Sequence, residues 1–252
     1  MDFRKVFNDN VPPEEFDKWR GRYCDELFAD LIAYAQLGPG KTALEIGPGT
    51  GQATEPILKT GCSYLAIELG ANFTRAMQQR FGHYENFGIV NGDFETHDFG
   101  SRQYDLVYSA ATIQWIPEEM GFPKVYGLLK HGGTFAMMLT RTDYRSPNED
   151  LYQKIQQVYD RYFHPETKYT CSLAYSNVEK HGFVDFECHQ YPKTRQYTAD
   201  EYVSWIGTHA DHITLPEPYR TLFYTGIRDA ILGFGNTITL HDTIVLYLAR
   251  KP

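Results

Sequence analysis

The chain has 252 residues, 42% hydrophobic and 22% charged, a size and balance that suit one large folded domain and exclude a disordered or fibrous chain. A formal net charge of −8 opposes the basic stripe that polyanion binding requires, so no nucleic-acid partner is expected. The opening residues MDFRKVFNDN lack the apolar run of a secretory signal and no later run is long enough to span a bilayer, so the expectation is a cytoplasmic protein with no membrane partner.

The first predicted element is a helix over about 25–36, with Leu27, Phe28, Leu31, Ile32 and Ala35 on one face, stopped by Gly38-Pro39-Gly40. A short strand, Thr42 to Ile46, breaks into a glycine loop, and Thr54 to Lys59 continues as a helix with Pro56 in its first turn. CSYLAIEL reads as a second strand, NFTRAMQQRF as a helix, FGIVNGDF and YDLVYSA as the third and fourth strands. FPKVYGLLKHGGTFAMML gives a helix, a turn at Gly132-Gly133 and a fifth strand. NEDLYQKIQQVYDRYF follows as a helix with Leu151, Ile155, Val158 and Tyr162 along one face. FVDFECHQY is a sixth strand, TADEYVSWIGTHADHI and EPYRTLFYTGIRDAIL are two more helices, and DTIVLYLAR is a seventh strand.

Alternation of this kind predicts an α/β fold, a doubly wound, mostly parallel seven-stranded sheet with a helical cap. The expected division of a single domain, 1–252, is a ligand-binding core over 1–140, cap segments over 141–180 and 197–235, and closing strands over 181–196 and 236–252. Cys24, Cys62, Cys171 and Cys188 show no CxxC pairing or ligand spacing, so neither a disulfide framework nor a metal site is expected. Nothing in the sequence sets an oligomeric state.

In such a sheet the ligand lies beyond the carboxyl ends of the strands, where the glycine loop ALEIGPGTGQAT falls. Its spacing, Gly47-x-Gly49-x-Gly51, is not the G-x-G-x-x-G of a dinucleotide fold, and no Lys-Ser or Lys-Thr follows as a phosphate-binding loop requires. Glu45 precedes the first glycine by two residues and no Lys or Arg occurs from Thr42 to Leu58, so the loop suits a cationic ligand; a plain strand-to-helix turn is the alternative. Glu68, about 20 residues beyond the loop, stands where a carboxylate takes ribose hydroxyls. Asp93, with Phe94 beside it, ends the third strand where it can accept from an adenine amine, although Asn91-Gly92-Asp93 also reads as an ordinary turn.

Together these residues resemble the class I S-adenosylmethionine (SAM)-dependent methyltransferases, particularly the small-molecule branch that includes the ubiquinone-biosynthesis and trans-aconitate types. LEIGPGTG is similar to that family's first motif, IELG to its acidic second-strand end, GDFE to its adenine-contacting motif and LLKHGGTFAM to its fifth-strand segment. The likeness is strongest over residues 23 to 140 and implies a Rossmann-like fold with SAM as cofactor. By that resemblance Glu45 and the backbone of Gly47, Gly49 and Gly51 hold the methionyl end, Glu68 and Leu69 the ribose, and Asp93 and Phe94 the adenine. Ser109, Ala110 and Gln114 then border the cofactor; relatives often carry His where Gln114 stands.

The function so implied is methyl transfer to a small-molecule acceptor by in-line displacement. His209 and His212 are the candidate bases, against a reading as solvated or capping residues, and Tyr23, Trp115, Tyr144 and Trp205 are the candidate acceptor-pocket residues. Arg141, Arg145, Lys168, Lys193 and Arg195 are candidates for steering an anionic acceptor. Two other classes stand beside this reading: a non-catalytic module that binds SAM or S-adenosylhomocysteine (SAH), and, disfavoured by the loop spacing, a nicotinamide-dependent oxidoreductase.

Overall fold

The computed structural model describes residues 11–145, 148–165 and 173–252; Cys171 and Lys168 lie outside them. The elements are α1 (Pro13–Trp19), α2 (Asp25–Ala35), β1 (Thr42–Ile46), α3 (Thr54–Leu58), β2 (Ser63–Glu68), α4 (Ala71–Phe81), β3 (Phe87–Asn91), β4 (Tyr104–Ala110), a 3-10 turn (Ile113–Trp115), α5 (Glu118–Leu128) and β5 (Leu129–Asp143). After these come α6 (Glu149–Tyr162), a second 3-10 segment (Tyr175–His181), β6 (Val184–Tyr197), α7 (Ala199–Ile206), α8 (Ala210–Ile213), α9 (Tyr219–Gly233) and β7 (Ile238–Arg250).

The seven strands form one sheet in the order β3-β2-β1-β4-β5-β7-β6. Strands β1 to β5 pair in parallel, with Glu45 opposite Ala66 on one side and Tyr108 on the other. The order reverses at β1, so the loop after β1 and the end of β4 share the switch point where a ligand is expected in a doubly wound sheet.

The chain divides into two compact units. One comprises residues 21–140, 171–191 and 244–252; the other comprises 1–20, 141–170 and 192–243. In the first of these, the period-2 geometry of strands sends neighbouring residues to separate cores. Ala43, Tyr64, Leu106, Tyr108, Ala136 and Ile244 pack with α2, α3 and α4. Leu44, Ile46, Val107, Phe135 and Val245 pack with α5 and the 3-10 segment at Val178. The other unit has its own core of Leu151, Ile155, Val158, Tyr202, Trp205, Phe223, Ile227 and Ile231 from α6, α7 and α9.

Two segments depart from the sequence expectation. Gly132-Gly133 is not a turn before β5 but lies inside it, where the β4–β5 register jumps from Tyr104↔Leu129 to Leu106↔Thr134. Gly132 has φ +73, and a Cβ on Gly133 would lie 2.9 Å from the Lys130 carbonyl oxygen, so only glycine fits this irregularity. TADEYVSWIGTHADHI is two helices rather than one. α7 stops at Gly207, the Thr208 hydroxyl takes the Trp205 carbonyl at 2.7 Å, and the extended backbone at His209 (ψ 135°) starts α8 afresh.

Candidate functional site

The glycine spacing has a backbone cause. Gly47, Gly49 and Gly51 have φ of 63°, 60° and 87°, values that L side chains rarely adopt. A Cβ on Gly47 would meet the Thr112 side chain at 2.4 Å, and one on Gly51 would meet the Phe81 ring at 2.3 Å. The first glycine is held on both sides: its N–H donates to the Ile67 carbonyl at 2.9 Å, and its own carbonyl accepts from the Thr112 hydroxyl at 2.9 Å. Thr112 follows Ala111, a non-glycine residue at φ +56, so strain at the end of β4 serves to carry the threonine to the loop. Arg80 also reaches this loop, donating to the Thr50 carbonyl at 3.3 Å.

Two buried carboxyls frame the loop. Glu68, at the end of β2, accepts the Gly49 N–H at 3.0 Å on one oxygen and the Gly70 N–H at 2.8 Å on the other. Burial pushes its pKa up to about 7, against the lowering effect of those backbone donors. Glu45, in β1, is 1% exposed, and its Oε2 accepts three hydroxyls: Thr54 at 2.6 Å, Tyr64 at 2.5 Å and Tyr108 at 2.7 Å. Its Oε1 is buried with no hydrogen-bond donor, and burial raises its pKa despite the three hydroxyls.

The remaining candidates around the switch point have identifiable contacts. Leu69 is half-buried, and its carbonyl, with that of Glu68, accepts the Asn91 amide at 3.0 and 2.9 Å. Asp93 closes a turn, its Oδ1 accepting the Glu95 N–H at 2.9 Å, and Phe94 is buried against Phe99 with Lys124 5.2 Å from its ring. Ser109 is fully buried and ties strand to turn, donating to the Ile46 carbonyl at 3.3 Å and accepting the Ile113 N–H at 2.9 Å. Ala110, Gln114 and Trp115 are half-buried, and Tyr23 packs edge-on to Phe28 at 6.4 Å.

His209, His212, Tyr144 and Trp205 belong to the other unit. Trp205 is buried, with Tyr197 stacked at 5.7 Å, Tyr144 at 6.4 Å, and His209 edge-on at 4.7 Å. Burial, with Arg20 and His212 nearby, holds His209 well below the usual imidazole range, so it is neutral at pH 7. His212 is 6% exposed and fully engaged: one ring nitrogen faces Asp211 Oδ1 at 2.6 Å and the other the Tyr159 hydroxyl at 2.8 Å. His209, Asp211 and His212 offer donor atoms within 4.8 Å of one another, although both nitrogens of His212 are already committed. Arg195 is paired with buried Asp242 and lies over Trp205, so its charge is already met within the unit.

Sequence reasoning missed Thr54, Tyr64, Tyr108, Thr112, Tyr159 and Asp211. The signal for Tyr64 and Tyr108 was present: each stands at an inward strand position beside apolar neighbours, where a phenol hydroxyl must find a partner.

The donor set fits a cofactor that carries cations and a ribose but no phosphate. Glu68 presents carboxylate oxygens with lone pairs beyond those taken by two amides, and the loop offers an acid and close backbone approach. Residues 44–137 match the family described as "Methyltransferase domain", just over a third of the chain. Residues 44–137 thus resemble a methyltransferase domain, set within a doubly wound, Rossmann-like sheet.

The chain is 38% identical, across 69 residues, to ribosomal RNA small subunit methyltransferase A of Thermosynechococcus vestitus, covering 27% of this chain and 26% of that protein. It is 31% identical over 96 residues to malonyl-[acyl-carrier protein] O-methyltransferase 1 of Ilyobacter polytropus, covering 37% and 35%. The matches span about a quarter to a third of these relatives' length. The structure of Haemonchus contortus phosphoethanolamine N-methyltransferase 2, with phosphomonomethylethanolamine and SAH, has the same fold, at a TM-score of 0.61 and 16% identity, over 100% of this chain and 60% of that one. No helix among the described residues is long and apolar enough to cross a membrane.

Proposed function

We propose that this protein is a SAM-dependent methyltransferase that transfers a methyl group to a small-molecule acceptor by in-line displacement. The observation that carries the reading is the loop of three left-handed glycines framed by the buried carboxyls of Glu45 and Glu68 at the switch point of the sheet. When bound, SAM supplies a methyl carbon already activated by its sulfonium. The chain's part is to bind, align and exclude water, and alignment of reacting atoms to about 3–3.5 Å can lower the barrier by several kcal/mol.

In this reading Glu68 and Leu69 take the ribose, Asp93 and Phe94 the adenine, and Glu45 with Gly47, Gly49 and Gly51 the methionyl end, with Ser109, Ala110 and Gln114 shaping the wall at the end of β4. Tyr23 and Trp115 are assigned to the acceptor. For an acceptor that must lose a proton, His209 and His212 are the candidate bases, His212 on condition that the Tyr159 hydroxyl gives up its ring nitrogen. A small acceptor is supported by the net charge of −8 and by the phosphomonomethylethanolamine bound to the Haemonchus enzyme; the match to the ribosomal RNA methyltransferase of Thermosynechococcus vestitus covers only 27% of this chain.

Calorimetric titration with SAM, SAH and NADH, repeated on Glu68→Ala and Asp93→Ala, tests the site. Micromolar binding of both sulfur ligands, weakened at least tenfold by each substitution, is the expected result. Binding of NADH alone would replace the reading with an oxidoreductase. Binding of SAH with no methyl transfer to any acceptor tried would favour a regulatory module.

A further inference from the structure

Glu45 is the better-hidden of the two carboxyls, and its surroundings are unlike those of Glu68. Glu68 is held by backbone amides that any sequence with this chain path would supply. Glu45 is held by three side-chain hydroxyls from three elements: Thr54 of α3, Tyr64 of β2 and Tyr108 of β4. All three are at most 3% exposed, and Tyr108 is the residue directly opposite Glu45 in the parallel register.

All three hydroxyls converge on one oxygen. Thr54 also lies 3.2 Å from the Tyr64 hydroxyl, so the donors support one another, and Oε1 is left without a donor although it is buried. Apolar residues of similar size would fill these positions and would leave nothing on the carboxylate; phenols at two inward strand positions are a costly choice unless their hydroxyls matter.

We propose that Thr54, Tyr64 and Tyr108 are positioning residues that fix the Glu45 carboxylate beneath the glycine loop as an electrostatic anchor for the cationic methionyl end of the cofactor. The inference rests on the reading of this loop as a SAM site. Hydrogen bonds from neutral hydroxyls to a carboxylate favour its charged form, and a charge in a low-dielectric interior acts strongly on a cation a few ångströms away. Burial works the other way, raising the pKa of Glu45, and the three hydroxyls offset it. The phenols themselves are pushed well above their ordinary range by burial and by Glu45, so they remain donors at every working pH. Among the charged groups facing the loop, Glu68 has its pKa raised by burial and in part by the Glu45 charge, and Arg80 donates to the Thr50 carbonyl.

The consequence is selective. Removing the hydroxyls weakens ligands in proportion to the cations they carry and spares the adenosine end. Tyr64→Phe, Tyr108→Phe, the double variant, Thr54→Val and Glu45→Gln are titrated calorimetrically beside the wild type with three probes: SAM, which carries a sulfonium and an ammonium; SAH, which carries the ammonium; and 5′-methylthioadenosine, which carries neither.

The double variant and Glu45→Gln are expected to lose about tenfold or more in affinity for SAM and SAH while methylthioadenosine stays within about twofold, in line with the loss of a charge-assisted contact. Glu68 titrates alike in both variants, so they are compared at each pH: the SAH affinity of the double variant rises above that of Glu45→Gln as pH is raised, because Glu45 then ionises without its donors. Equal weakening of all three probes, or unchanged SAM and SAH binding in a variant with native circular dichroism, overturns the anchor and leaves the methyltransferase reading standing. A wild type that binds none of the three overturns both.

Discussion

Buried polar groups are satisfied by two means here, by backbone donors or by distant side chains, and each compact unit supplies an example. In the sheet unit, Glu68 is satisfied by the amides of Gly49 and Gly70, donors that come with the path of the backbone. In the helical unit, the buried polar groups are side chains matched to side chains from distant stretches: Arg195 with Asp242, 47 residues on, and Tyr159 with His212, 53 residues on. A backbone donor survives most substitutions. A side-chain pair survives only if both partners do, so a single polar substitution does most harm where buried side chain meets buried side chain.

Asp242 is the sharpest place to test this. Its side chain is 1% exposed; it takes Arg195 through two nitrogens and the Thr142 hydroxyl at 2.7 Å. Asp242→Ala leaves the Arg195 guanidinium, itself only 13% exposed, without its counter-charge, and is expected to cost about 3–5 kcal/mol of unfolding free energy. The double variant Arg195→Met, Asp242→Leu removes both charges and is expected to recover most of that loss. Urea denaturation followed by circular dichroism reads both. A single-variant loss below 1 kcal/mol would erase that contrast.

Glu68 gives the next effect, and it is read in pH. Its folded pKa of about 7 lies above the ordinary carboxylate value of 4.5, so the folded chain binds the proton more tightly than the unfolded one. The stability this contributes is fully present below pH 4.5 and is lost as pH rises through 7. At 1.36 kcal/mol per pKa unit the loss is about 3 kcal/mol between pH 4.5 and 8. Glu68→Gln, which cannot titrate, is expected to flatten the wild-type stability profile by that amount. In the methyltransferase reading, ribose hydroxyls donate to the ionised carboxylate, so SAH affinity rises with pH across the same window. An unchanged slope in Glu68→Gln would mean that the amides of Gly49 and Gly70 cancel the effect of burial.

The same contrast explains what was legible in the sequence. Gly47, Gly49 and Gly51 announced the loop because only glycine accepts its left-handed backbone, and a backbone requirement is written at one position. Strand periodicity located all seven strands for the same reason, although it shortened β6 and β7 and read the Gly132-Gly133 irregularity as a turn. Tyr64 and Tyr108 read as phenols in need of a partner, but Tyr108 could not be matched to Glu45 because their meeting depends on strand order, in which β4 rather than β3 lies beside β1. Asp211–His212–Tyr159 was half visible: the histidines stand out in GTHADHI, but Tyr159 reads only as one more aromatic on a helix.

Thr198 supplies the smallest effect, and it is an exception within the helical unit. Among the described helices it provides the one side-chain cap: its N–H donates to Glu201 Oε2 at 2.9 Å while its hydroxyl accepts the Glu201 N–H at 3.4 Å. This reciprocal pair is announced by the T-x-x-E spacing of Thr198-Ala199-Asp200-Glu201, so here a polar contact of the helical unit is as local, and as readable, as the glycine loop of the other. Thr198→Ala frees the first-turn N–H and is expected to cost about 1 kcal/mol, with Thr198→Ser and Thr198→Asp recovering most of it because each returns an acceptor to the cap. Urea midpoints of the three variants measure the effect. Recovery by Ser and Asp would tie the loss to the cap itself, whereas equal losses in all three would assign it to packing of the Thr198 methyl and would make this position, too, dependent on distant partners.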